Sequence, residues 1–130
     1  MGKKPQFSLH ARVRSFRHPF AGLRDMLRTE PNAWIHAAAT LCVFAFAFWL
    51  QVGRMKWCLL ILAVVSVWVA EAFNTVLEIM ADLMMGERYS PMVKRAKDIA
   101  AAAVLAACFG AVAIGILVFG PALFAKLGNS

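Results

Sequence analysis

The sequence predicts an all-α membrane protein of one domain, with an N-terminal amphipathic surface helix followed by three transmembrane helices. Hydrophobic residues make up 62% of the 130 residues, whereas soluble domains hold about 45–50%. Residues 31–53 and 99–125 carry no charged side chain, and residues 55–85 carry only Lys56 and three acids. Each run exceeds the roughly 20 apolar residues that a helix needs to cross a bilayer. Buried helices of a soluble protein would account for these runs less well.

The distribution of basic residues predicts how the spans are oriented. Residues 1–30 hold seven lysines and arginines, and residues 86–97 hold four. The first connection has only Arg54 and Lys56, and the C-terminal tail has only Lys126. Because positive loops stay in the cytoplasm, the N-terminus and the second connection are predicted to be cytoplasmic.

The segment before the first span is interpreted as a surface helix. Residues 1–8 form a basic leader that we expect to be flexible. Over residues 9–29 apolar side chains recur at helical spacing with arginines between them, which is typical of a helix in the membrane interface. Pro19 is expected to kink or divide this helix. Basic amphipathic segments also bind nucleic acid, but fusion to a span favours the membrane surface, and no nucleic-acid partner is predicted.

The three spans are predicted at residues 33–52, 56–85 and 98–120. Pro31 disfavours helical geometry at Glu30, so the chain should turn there. A tight connection containing Gly53 joins the first two spans, and a short basic helix is expected between Pro91 and the third span. His36 lies about one turn inside the first span and is interpreted as a hydrogen-bonded structural histidine.

A stripe of polar residues at the end of the second span is the candidate functional site. At about 100° per residue, Glu71, Asn74, Glu78 and Asp82 fall within roughly 80° of one another on a helix. Ionisable groups in a membrane helix are costly and usually functional. The second helix is longer than the bilayer, so Glu71 should lie deepest and Asp82 nearest to water.

The chemistry of these side chains favours phosphoryl transfer. The carboxylates of the stripe, together with Glu30 and Asp98, suit Mg²⁺, which binds one or two carboxylates and substrate phosphates. The basic side chains of the second connection, including Lys97, suit phosphate oxygens. Glu71 is the natural base, because a lipid hydroxyl would approach from the membrane. No phosphate-binding glycine motif or protein-kinase motif is present. By spacing alone, a small ion or proton transporter subunit and a small structural subunit stay open as alternatives.

Two motifs resemble those of the prokaryotic diacylglycerol kinase family, whose members include undecaprenol kinases. The stretch Glu71-Ala-Phe-Asn74-Thr75-Val-Leu-Glu78-x-x-x-Asp82 matches the family's E-x-x-N-[ST]-x-x-E-x-x-x-D. Residues 96–105 match A-K-D-x-x-[AGS]-[AG]-A-V-L. Upstream, Ser15-Phe16-Arg17-His18 and Glu30-x-Asn32-x-x-Ile35-His36 are more similar to the undecaprenol kinase branch than to the enterobacterial branch.

The resemblance implies a homotrimeric lipid kinase of the bacterial inner membrane, with ATP as co-substrate, Mg²⁺ as cofactor and active sites shared between subunits. It implies that Glu71 is the general base and contacts the lipid, and that Glu30 and Glu78 bind the metal. The implied nucleotide-binding residues are Glu30, Asn74, Glu78, Asp82, Lys97, Asp98 and His18. Arg12 corresponds to a substrate-contacting arginine of the family after a shift of one residue. The acceptor expected from the resemblance is undecaprenol, with diacylglycerol as the alternative.

Overall fold

The chain is built from helices throughout the part that the structure describes. The structure is a computed structural model that describes residues 2, 4 and 6–129, and these contain five α-helices and no β-strand. The helices are α1 (Leu9–Ser15), α2 (Arg17–Thr29), α3 (Pro31–Leu50), α4 (Arg54–Met85) and α5 (Pro91–Gly128). By length and composition α3, α4 and α5 could each cross a membrane. The prediction of an all-helical chain with three helices apolar enough to span a membrane is confirmed.

The N-terminal segment, predicted as a helix over residues 9–29 that Pro19 kinks or divides, is divided three residues before that proline. The break lies at Phe16, between α1 and α2, and not at Pro19. Pro19 occupies the first turn of α2, where backbone N–H groups have no partner within the helix and proline is therefore tolerated. Within the predicted leader, residues 1, 3 and 5 lie outside the described residues, and the described residues before Leu9 are not helical. Met26 is the only residue of α2 that is buried.

Helix α3 begins and ends where the local sequence permits. Glu30 is extended (φ −106°, ψ 112°) and Pro31 takes the first position of α3, where proline's fixed φ suits a helix start. At the other end Gln51 adopts the left-handed conformation (φ 53°, ψ 45°). A left-handed residue commonly ends a helix. In the tight connection predicted around Gly53, that residue is Gln51 and not the glycine.

Helices α4 and α5 form a long antiparallel hairpin. Gly86, with φ 57° and ψ −125°, ends α4 in a conformation that favours glycine. The Ser90 hydroxyl accepts from the Val93 backbone N–H at 3.5 Å, which caps the start of α5. Helix α5 then continues without a break through the basic segment, so the predicted short helix and the 98–120 span are one element. It also continues past Pro121 to Gly128, because membrane helices tolerate a missing backbone donor.

The best-packed part of the molecule lies at the far end of the three long helices, which we call the apolar end. Ala47, Leu60 and Val118 are buried together there. The Trp57 ring packs against Phe44 and Phe48, with centroids 5.7 and 4.8 Å away. Since Leu60 meets Val118 at this end and Asp82 meets Lys97 at the other, α4 and α5 run antiparallel along their length. The opposite end, which carries residues 71–82 of α4, we call the polar end.

Candidate active site

The four polar residues predicted as a stripe do share one side of α4, and their burial falls along the helix. Glu71 is 2% exposed and Asn74 is buried, whereas the Asp82 side chain is 72% exposed. Glu78 is half-buried. This gradient reflects packing within the chain, because Glu71 faces His36 of α3 whereas Asp82 meets the partly exposed Lys97 of α5. A carboxylate is thus placed deep in the helix bundle with two others between it and the helix end.

The deepest carboxylate is paired with the histidine of the first span. Glu71 Oε2 lies 3.2 Å from His36 Nε2. The two side chains are 2% and 13% exposed. The pair joins α3 to α4 in the bundle interior, where an unpaired carboxylate would carry a large desolvation cost. A donor on α3 therefore permits Glu71 to be kept at this depth.

One turn further along α4, polar atoms remain without partners. Asn74 Nδ2 donates to Glu78 Oε1 at 3.4 Å. Asn74 Oδ1 and Thr75 Oγ1 are buried, and neither has a hydrogen-bond partner among the described residues. A buried polar atom without a partner costs about 1–3 kcal/mol. Such atoms are rare in native structures, and each needs a structural or functional reason.

The last polar residue of the stripe contacts α5. Lys97 Nζ donates to Asp82 Oδ1 at 3.0 Å, and Lys94 Nζ donates to Asp98 Oδ2 at 2.7 Å one turn along the same helix. All four side chains are substantially exposed. The two ion pairs form a mixed-charge surface beside the turn between α4 and α5. This surface can present an ammonium group to phosphate oxygens.

Three predicted site residues make no hydrogen bond or ion pair with the stripe in the described part of the chain. Glu30 is half-buried at the junction of α2 and α3 and makes no side-chain hydrogen bond with another described residue. Arg12 lies over the Phe7 ring, with its guanidinium carbon 5.7 Å from the centroid. His18 is exposed in the first turn of α2. Hydrogen bonds and ion pairs of the described residues thus join the α4 and α5 site residues and do not link those of the N-terminal segment to them.

Sequence reasoning missed the pairing of His36 with the predicted base. The signal was available: His36 precedes Gly53 by 17 residues and Glu71 follows it by 18. In an antiparallel helix pair, residues at equal distances from the connection lie opposite each other. The burial of Thr75 could not be predicted in this way. Its place in the motif does not indicate that its hydroxyl would be buried without a partner among the described residues.

The oxygen atoms of the stripe fit a hard divalent cation and would supply part of its coordination shell. Glu78 offers carboxylate oxygens, and Asn74 Oδ1 is a buried acceptor without a donor. No group of three His, Cys, Asp or Glu side chains close enough to hold a metal occurs in the part of the chain that the structure describes. This donor set suits Mg²⁺, which takes one or two carboxylates and completes its shell with water and phosphate oxygens.

Comparison with known proteins identifies relatives over most of the chain. Residues 17–119 match the sequence model of a family described as prokaryotic diacylglycerol kinase. The undecaprenol kinase of Bacillus subtilis is 34% identical over 110 residues, which span 85% of this chain and 89% of that protein. The diacylglycerol kinase of Synechocystis is 37% identical over 78% of this chain and 58% of its own length. That of Escherichia coli K12 is 37% identical over 77% of this chain and 81% of its own.

Proposed function

The chain belongs to the prokaryotic diacylglycerol kinase family and is a lipid kinase, and on this premise we propose that it transfers the γ-phosphate of ATP to the hydroxyl of undecaprenol. The similarity to the Bacillus undecaprenol kinase, which covers most of both chains, favours this acceptor. Diacylglycerol is the second candidate, because the Synechocystis and Escherichia relatives are named for it.

The observation that carries the proposed chemistry is a buried carboxylate beside an apolar groove. A groove of about 560 Å³ runs between the three long helices, with Ala39 and Val43 of α3, Val67 of α4 and Gly115 of α5 among its walls. His36, which is bonded to Glu71, also lines it. A lipid whose hydrocarbon lies along this groove would bring its hydroxyl group to the carboxylate. We therefore assign the acceptor to this groove.

In the proposed reaction Glu71 is the general base. The acceptor's O–H bond breaks and its proton passes to the Glu71 carboxylate, while the acceptor oxygen bonds to the γ-phosphorus. The bond from the γ-phosphorus to the bridging oxygen breaks, and its electron pair leaves with ADP. A positioned base of this kind contributes about 10²- to 10⁴-fold to a rate.

The remaining polar residues are proposed to hold the nucleotide. Lys97, which reaches α4 at Asp82, supplies an ammonium for phosphate oxygens. Glu78 and Glu30 would hold Mg²⁺, which when bound neutralises charge on the phosphates. The proposed nucleotide contacts are completed by Asn74, Asp82, Asp98 and His18, with Arg12 on the substrate.

We also propose that the sites are completed by neighbouring copies in a homotrimer. Two observations among the described residues support a second chain at the site: Asn74 Oδ1 and Thr75 Oγ1 have no partner, and Glu30 makes no hydrogen bond with the stripe. The charge distribution supports an inner-membrane location with the polar end in the cytoplasm, and with α1 and α2 on the membrane surface. Mixing Glu30→Gln with Glu71→Gln protein tests the sharing, since hybrid trimers would regain one intact site.

The acceptor is tested by direct competition. The purified protein in mixed micelles receives Mg²⁺, ATP labelled at the γ-phosphate, and equal mole fractions of undecaprenol and a diacylglycerol. We expect label chiefly in undecaprenyl phosphate, and about 10²- to 10⁴-fold slower labelling when Glu71→Gln replaces the wild type. Label only in phosphatidic acid would overturn the acceptor and leave the kinase in place. No label in either lipid would overturn the proposed function itself.

A further inference from the structure

We propose that His36 is a positioning residue of the phosphoryl transfer, which holds one oxygen of the Glu71 carboxylate so that the other faces the acceptor hydroxyl. The inference rests on the proposed role of Glu71 as base and adds a residue to it. It assigns a function to a side chain that the sequence alone identifies only as structural.

The contact itself divides the two carboxylate oxygens into different roles. An ionised carboxylate can only accept hydrogen bonds, so His36 Nε2–H donates to Glu71 Oε2 over the 3.2 Å that separate them. No described side chain donates a hydrogen bond to the other oxygen, Oε1. Oε2 is therefore engaged by the protein, and Oε1 is the oxygen that can take a proton from a substrate. Rotation of the carboxylate would exchange these roles, and the imidazole opposes that rotation.

The imidazole is held in place by a second contact between the same two helices. Trp68 Nε1 donates to Thr40 Oγ1 at 2.9 Å, and the Thr40 hydroxyl donates to the His36 carbonyl at 2.7 Å. The Trp68 and His36 rings meet edge to face, with centroids 6.1 Å apart. Because Trp68 and Glu71 lie one turn apart on α4, the ring of His36 is fixed between them. A ligand-orienting residue needs such support to be effective.

The location of His36 connects the pair to the proposed acceptor. The His36 side chain is 13% exposed while Glu71 is 2% exposed, and His36 forms part of the wall of the apolar groove. A hydroxyl group that reaches Glu71 from the groove passes this ring. His36 thus fixes both the carboxylate's orientation and the direction from which the acceptor approaches.

The test compares three replacements of His36 with one replacement of Trp68, which packs against it. His36→Leu removes the donor, His36→Gln restores an amide N–H near the position of Nε2, and His36→Asn carries the same amide on a shorter side chain. Trp68→Phe keeps a ring against His36 but removes the donor to Thr40. For each, kcat and both KM values are measured per amount of folded protein, with thermal unfolding recorded alongside.

A hydrogen bond to a charged group is worth about ten- to one-hundred-fold in an equilibrium or a rate. We expect His36→Leu and His36→Asn to lower kcat by about that factor with KM for ATP unchanged. His36→Gln should recover most of the loss, and Trp68→Phe should lower kcat several-fold.

A merely structural histidine would give a different pattern. Its loss would lower the unfolding temperature equally in the Gln and Asn variants without separating their kcat values. Equal kcat in those two variants, or wild-type kcat in His36→Leu, overturns the proposal. If His36→Leu does not fold, the Gln and Asn pair still decides. If the wild type labels no lipid, the proposed function fails, which is a separate result.

Discussion

The polar end and the apolar end of the helix bundle satisfy their residues in different ways. At the apolar end Leu60 is 1% exposed and Ala47 is fully buried, so contacts within one chain bury a small apolar core. At the polar end Glu71 finds a donor in His36, but Asn74 Oδ1 and Thr75 Oγ1 have no partner in the described chain. The buried residues of the apolar end are satisfied within one copy, whereas those of the polar end are only partly satisfied by the described residues.

The difference has an energetic meaning in a membrane. Lipid is as apolar as the side chains at the apolar end, so close packing and not burial from water stabilises that end. The polar end keeps a carboxylate and two unpaired polar atoms at a cost. Atoms retained at such a cost are usually functional. Substitutions at the apolar end should therefore change stability, and those at the polar end should change activity.

The largest expected effect is on catalysis at the polar end. Glu71→Gln should lower kcat by about 10²- to 10⁴-fold, because an amide cannot accept the proton. The amide oxygen still accepts from His36, so the unfolding temperature should change little. The phosphotransfer assay measures the first effect and circular dichroism on heating measures the second.

Glu87→Gln serves as the matched control, because this acid is exposed in the turn between α4 and α5 and should leave kcat unchanged. Turnover of Glu71→Gln at a near-wild-type rate would remove Glu71 from the role of base.

At the apolar end, Leu60→Ala should lower the free energy of unfolding by about 2–5 kcal/mol, since it leaves a cavity beside Ala47 and Val118. The kcat of the protein that remains folded should be unchanged. Unfolding in increasing denaturant measures the loss. Leu62→Ala, whose side chain is 63% exposed on the same helix, is the control and should cost far less. Similar losses in both variants would mean that partner chains or lipid pack Leu62 as tightly.

A smaller loss of stability is expected at the turn that joins α4 to α5. Gly86→Ala should lower the free energy of unfolding by about 1–3 kcal/mol, because φ 57° with ψ −125° strains any residue with a Cβ atom. Gly53→Ala is the comparison, since Gly53 has φ −69° and open space around its Cβ position. Thermal unfolding of both variants measures the difference. Equal stability of the two would show that the turn relaxes without strain.

The smallest effect on stability is expected for the exposed ion pair between Asp82 and Lys97 at the polar end. Asp82→Asn should change the free energy of unfolding by less than about 1 kcal/mol, because exposed pairs contribute little. The proposed nucleotide role predicts a higher KM for ATP in the same variant, with KM for the lipid unchanged. An unchanged KM for ATP would take Asp82 out of the nucleotide site.

Much of the fold could be predicted because hydrophobic length and charge are local properties. The three long helices and the shared side of the residues from Glu71 to Asp82 follow from periodicity and span length. The break at Phe16 and the continuation of α5 past Pro121 could not be read in advance. A proline ends a helix or is tolerated in it according to which backbone groups lack partners nearby, and that depends on the finished structure.

The sequence by itself determined the helices, their apolar faces, the polar stripe on α4 and the family motifs, because each depends on residues close together in the chain. Tertiary structure alone decided that His36 donates to Glu71, that Lys97 reaches Asp82, and that Thr75 Oγ1 is buried without a partner among the described residues. These contacts join residues 35 and 15 positions apart in the first two cases. Their geometry depends on how α3 and α5 pack against α4, which no local pattern specifies.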